Sequence, residues 1–92
     1  MDLTKNRTAL EIAAGKLISA IQKEYIAELG EPGCDESECV MHSSHRLLQA
    51  AKSGELSKVL DTKSVAEFLG KSWVQNHTNV LPFIAELERL RR

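Results

Sequence analysis

Apolar residues recur at three- and four-residue intervals along most of this chain, and no stretch of useful length alternates polar with apolar positions. That period predicts helices and no sheet. Leu10, Ala14, Leu17, Ile21 and Tyr25 form the stripe of a long first helix. Thr8 with Glu11 fits a capping box at its start, with Asp2 or Thr4 as earlier starting points. Gly30 supplies the stop, and Pro32-Gly33 a turn.

A second helix is predicted from Asp35, with Glu38 in the reciprocal capping position. Val40, Ser44, Leu47, Leu48 and Ala51 lie along one side of it, and Gly54 ends it. A short turn around Leu56, Val59 and Leu60 follows. Ser64 and Glu67 make another capping pair, opening a third helix through Val65, Phe68 and Leu69 to Gly70. Ser72 can cap a short piece carrying Trp73 and Val74. Residues 75–79 are polar and poor in helix formers, which predicts a break. Thr78 or Asn79 then caps a last helix, with Pro82 in its first turn and Phe83, Leu87 and Leu90 inward. The expected fold is all-α: a bundle of four to five helices, one long N-terminal helix followed by shorter ones.

Composition narrows the function classes. At 92 residues we expect one helical domain over 1–92, with a single modest core. Only 4% of residues are aromatic, so that core is aliphatic. A net charge of −1 lacks the strongly basic footprint of a general nucleic-acid binder. No apolar run approaches a membrane span, and the opening Met-Asp-Leu-Thr-Lys-Asn holds no apolar signal region. The expected compartment is cytoplasmic, with Cys34 and Cys39 reduced. Charge is uneven: Glu31, Asp35, Glu36 and Glu38 cluster without a basic residue, and Arg89, Arg91 and Arg92 close the chain. A solvated acidic loop and a cation-favouring helix C-terminus account for both.

Candidate chemistry concentrates at Cys34, Cys39, His42 and His45, whose side chains are of the types zinc accepts. On a helix, Cys39 and His42 lie about 60° apart, as do His42 and His45, away from the apolar stripe. Cys34 can fold back from the preceding loop, and Glu38 is one turn from His42. The spacing matches no two-knuckle zinc pattern, Cys39 and His45 are about 120° apart, and Arg46 shares their face. Solvated polar side chains are the plainer reading. The same Cys39 and His42 could form a nucleophile–base pair, but Asp35, Glu36 and Glu38 oppose the thiolate. No orienting group or oxyanion site is evident, so no catalysis is expected.

Asp61 to Ser72 resembles the first half of a helix-turn-helix, with Ala66 four residues before a turn glycine, Gly70. The resemblance implies a DNA-associated regulator reading through residues 64–79, with Lys71, Ser72, Gln75, Asn76 and Asn79 as contact residues. The second half departs from the motif. Asn76 and Asn79 stand where the recognition helix buries apolar side chains, and the apolar pair has moved to Trp73 and Val74.

A protein interface is the leading expectation. Opposite its main stripe the first helix carries Ile12, Gly15, Ser19 and Ile26. Ile12 and Ile26 fall within about 40° of each other, where a solvated helix should be polar. Small Gly15 and Ser19 would admit another helix closely. Either this face packs on the domain's own helices, or it meets a second copy or another helical protein. Trp73 belongs to such a surface or to the core. The expected function is a small interaction or regulatory module, a homodimer without cofactor. DNA binding is second and zinc third.

Overall fold

The computed structural model describes residues 9–32 and 34–91. The elements are α1 (Ala9–Ala27), α2 (Cys34–Ser53), α3 (Leu56–Leu60), α4 (Val65–Leu69), α5 (Lys71–Asn76), a 3₁₀ turn (Thr78–Val80) and α6 (Leu81–Leu90). No strand occurs among the described residues, and none of the helices is long and apolar enough to cross a membrane. The fold is all-α.

The two long helices follow the predicted periodicity. α1 buries Ala13, Ala14, Leu17, Ile18 and Ile21, and α2 buries Ser37, Val40, Ser44, Leu47, Ala50 and Ala51. α1 lies against α2 on one side and against α6 on the other. α4 touches both α2 and α6, so the chain closes around the inward face of α1. Leu17, Ile21, Leu47, Leu60, Val65, Val80 and Leu87 are almost completely buried in the centre.

Several boundaries differ from the expectation, each for a local reason. Leu56–Leu60 is a helical turn rather than an irregular one, which adds an element; it buries Leu56 and Leu60. α2 begins at Cys34, so Cys34 is helical and Asp35 sits inside the first turn, where its charge favours the helix dipole. α5 starts at Lys71 with Gly70 as its cap, not Ser72. Gly70 has φ 123°, a value that L side chains rarely adopt. Thr78 and Asn79 form the 3₁₀ turn instead of capping, and Pro82 falls in the first turn of α6 as expected. The proposed Thr8 cap, the earlier starts at Asp2 and Thr4, Gly33 and Arg92 lie outside the described residues.

Helices of five or six residues do not persist alone in water, so α3, α4 and α5 depend on anchors. α4 has two at its start. The Ser64 hydroxyl accepts from the Glu67 N–H at 3.1 Å while the Glu67 carboxylate accepts from the Ser64 N–H at 2.9 Å. The Glu88 carboxylate of α6 accepts from the Val65 N–H at 2.6 Å. The bond from the Ser64 N–H also holds the Glu67 carboxyl below its ordinary pKa. Ser64→Ala is expected to lower the unfolding free energy by about 1 kcal/mol in a urea titration. An unchanged midpoint would mean that Glu88 alone fixes the start of α4.

Candidate functional site

α1 ends at Ala27, and the chain turns through Glu28, Leu29 and Gly30, with Gly30 at φ 86°. The turn holds its backbone by the Glu28 N–H donating to the Tyr25 carbonyl at 3.0 Å and the Glu31 N–H to the Glu28 carbonyl at 2.9 Å. Glu28 therefore places a carboxylate just past a helix C-terminus, where the dipole disfavours an anion. Two side chains, Ser37 and His77, compensate.

Ser37, on the first turns of α2 and wholly buried, donates its hydroxyl to Glu28 Oε1. The Ser37 hydroxyl oxygen in turn accepts from the Trp73 indole N–H at 2.8 Å. His77, just after α5, brings Nε2 to 2.6 Å from Glu28 Oε2 and Nδ1 to 2.7 Å from the Trp73 carbonyl. Its ring stacks on that of Trp73, with centroids 4.0 Å apart and planes 9° from parallel. Four residues from α1's end, α2, α5 and the following turn thus form one closed hydrogen-bonded circuit.

The circuit fixes a charge state. A carbonyl and a carboxylate can only accept, so both His77 nitrogens must donate, which only the imidazolium can do. Burial works against that charge. The bonds to Glu28 and to the Trp73 carbonyl, with the Glu28 and Glu24 charges, outweigh it and raise the His77 pKa. The Ser37 hydroxyl, then His77, hold the Glu28 carboxyl below its ordinary value. Glu28 and His77 are an ion pair with side chains 32% and 13% exposed, partly shielded from solvent screening.

Serine, histidine and a carboxylate are also the residue types of a hydrolytic triad, but their order here is different. The carboxylate stands in the middle, and the hydroxyl points to it rather than to the imidazole. A nucleophile needs the base beside it, and a carboxylate with a depressed pKa is a poor base. The arrangement holds elements together and satisfies a buried indole. Among the described residues no buried side-chain polar atom lacks a partner.

The residues singled out by sequence fall in three groups. Ile12, Ser19 and Ile26 are exposed on the outward side of α1 and Gly15 is half-buried there, with open space where a Cβ would project. Ile12 is 45% and Ile26 56% exposed; Ile12 borders a cleft with Glu86, Arg89 and Leu90 of α6, Ser19 one with Phe83, and Leu29 adds exposed apolar surface near Ile26. Trp73 is not part of that face; at 1% exposed, it belongs to the core. Lys71, Ser72, Gln75, Asn76 and Asn79 are exposed, and the Asn79 amide donates to the Glu24 carboxylate at 3.3 Å. α4 and α5 are joined by Gly70 alone, whereas a helix-turn-helix uses a turn of three or four residues. α5 stops at Asn76 after six residues, short of a recognition helix.

Cys34 is half-buried, and Cys39, His42 and His45 are exposed. His42 approaches only Glu38, at 3.8 Å, and among the described residues no three His, Cys, Asp or Glu side chains gather around a common point. Arg46 turns away to place its guanidinium 5.6 Å from the Phe68 ring centroid. Sequence reasoning missed Glu28, Ser37 and His77. Ser37 continues the Val40/Ser44/Leu47 stripe one turn earlier, and a serine on a buried stripe needs a partner. His77 follows Trp73 at helical spacing inside a stretch that reads only as a polar break. No family model, curated protein or solved structure matches the chain.

The pair predicts the shape of the stability curve. His77 has a raised folded pKa, so its contribution is complete below the ordinary 6.5 and is lost as pH rises through the folded value. Glu28 has a lowered one, so its contribution is complete above 4.5 and is lost as pH falls through the folded value. Urea unfolding from pH 4 to 9 should show both contributions complete between 4.5 and 6.5. His77→Gln should remove the alkaline decline. A wild-type curve flat from pH 6 to 9 would contradict the charged circuit.

Proposed function

We propose that this chain is a small helical interaction module that forms a homodimer through the outward face of α1. The observation that carries this reading is the exposure of Ile12 and Ile26 on the side of α1 opposite its core stripe. Isoleucines on a solvent-facing line gain by leaving water, and a two-fold pairing lets one such line cover itself. Gly15 and Ser19, between them, keep the backbone accessible to a second helix. The same reading needs no cofactor and suits a cytoplasmic protein with free Cys34 and Cys39.

A DNA-associated role would draw on the exposed Lys71, Ser72, Gln75, Asn76 and Asn79. The one-residue joint at Gly70 and the net charge of −1 favour the protein interface over it. Zinc at Cys34, Cys39, His42 and His45 has no gathered ligand set in support.

Sedimentation equilibrium of the wild type and of the Ile12→Glu/Ile26→Glu double variant tests the proposal. The wild type should be dimeric, and the variant at least tenfold weaker in association. Because both side chains are exposed within the chain, the variant should keep its helicity and its unfolding free energy to within about 0.5 kcal/mol, apart from any linkage to the dimer. A monomeric wild type, or a variant that still dimerises fully, would overturn the assignment.

A further inference from the structure

The closed circuit joins four separate parts of the chain. Glu28 belongs to the turn after α1, Ser37 to α2, Trp73 to α5, and His77 to the link between α5 and the 3₁₀ turn. The charged groups that act on His77 are Glu28 and Glu24, both from the α1 side. α2 contributes the neutral hydroxyl of Ser37, α5 the ring and carbonyl of Trp73, and the 3₁₀ turn the Asn79 amide that holds Glu24. No lysine or arginine takes part in the circuit.

We propose that His77 is a proton-operated latch: doubly protonated, it locks the segment 71–80 to the α1–α2 corner, and loss of one ring proton to water loosens that segment, raising how often it opens against the burial of Trp73, Val74 and Val80, while the rest of the bundle stays folded. The neutral imidazole keeps one N–H, and either tautomer breaks the circuit. If the hydrogen stays on Nδ1, the Nε2 lone pair faces a carboxylate oxygen 2.6 Å away. If it stays on Nε2, the Nδ1 lone pair faces the Trp73 carbonyl at 2.7 Å. Both contacts are repulsive at that distance, so the ring has to turn away from one partner. The first tautomer displaces Glu28, which also holds Ser37, and Ser37 in turn holds the Trp73 N–H. The second tautomer frees the end of α5 itself. A six-residue helix has little cooperativity of its own to resist either change.

Amide hydrogen exchange of the full chain, with protection factors corrected for the intrinsic effect of pH, tests the latch beside an NMR titration of the His77 ring. Between pH 5.5 and 8.5 protection in 71–80 should fall by about tenfold or more, with a midpoint at the His77 titration, while Leu17–Ile21 in α1 stay protected. Glu28→Gln removes the charge and keeps an acceptor oxygen for one of the two partners, Ser37 on Oε1 or His77 on Oε2. In that variant the midpoint should move to lower pH by at least one unit. Constant protection in 71–80 across the His77 titration would overturn the latch. So would an unmoved midpoint in Glu28→Gln, or a loss of protection that strikes α1 and 71–80 equally.

Discussion

The junction between the long helices and the rest of the chain depends on how one carboxylate is neutralised. Glu28 lies just past the C-terminal end of α1, where the helix dipole is unfavourable to it, and Trp73 must bury an indole N–H that requires an acceptor. Ser37 meets both demands with one oxygen, donating to the first and accepting from the second. His77 closes the circuit by giving its two N–H groups to Glu28 and to the carbonyl of the residue whose ring it covers. Removing Ser37 strands the buried Trp73 N–H, and removing Glu28 takes the acceptor from the buried Ser37 hydroxyl, each a costly loss. The location of α5 follows from this arrangement more than from its own helical propensity.

Around that junction the two sides of α1 have opposite duties. The inward side carries Leu17 and Ile21 into contact with α2 and α6 and leaves no room for polar groups. The outward side carries exposed Ile12 and Ile26 where lysine or glutamate would be less costly in water. Core formation explains the first set and cannot explain the second. The circuit and the outward face are separate: one joins elements of the chain to each other, the other is exposed to solvent.

Much of the fold was legible because its determinants are local. Leu17, Ile21, Val40, Leu47 and Leu87 repeat at helical spacing, and Ser64 with Glu67 forms its capping box within four residues. The short elements were less so. Leu56–Leu60 helps itself by burying both its end leucines, and the joint at Gly70 depends on a φ that sequence does not report. The circuit was not legible at all. Ser37 and Trp73 are separated by 36 positions and Glu28 and His77 by 49, and no periodic pattern links them. Cys34, Cys39, His42 and His45 are dense in sequence but do not converge in space. The histidine outside that cluster is the one with the well-defined environment.

The most direct test of a continuous circuit is the coupling between two members that share Ser37. A double-mutant cycle of Glu28→Gln and Trp73→Phe, read by urea unfolding at pH 6, removes the carboxylate charge from one end and the indole N–H from the other. Both meet on the Ser37 oxygen, so the effects should be non-additive by about 0.5 kcal/mol or more. Effects that add to within about 0.3 kcal/mol would mean that the two ends are independent, and the circuit would not be the unit on which this junction rests.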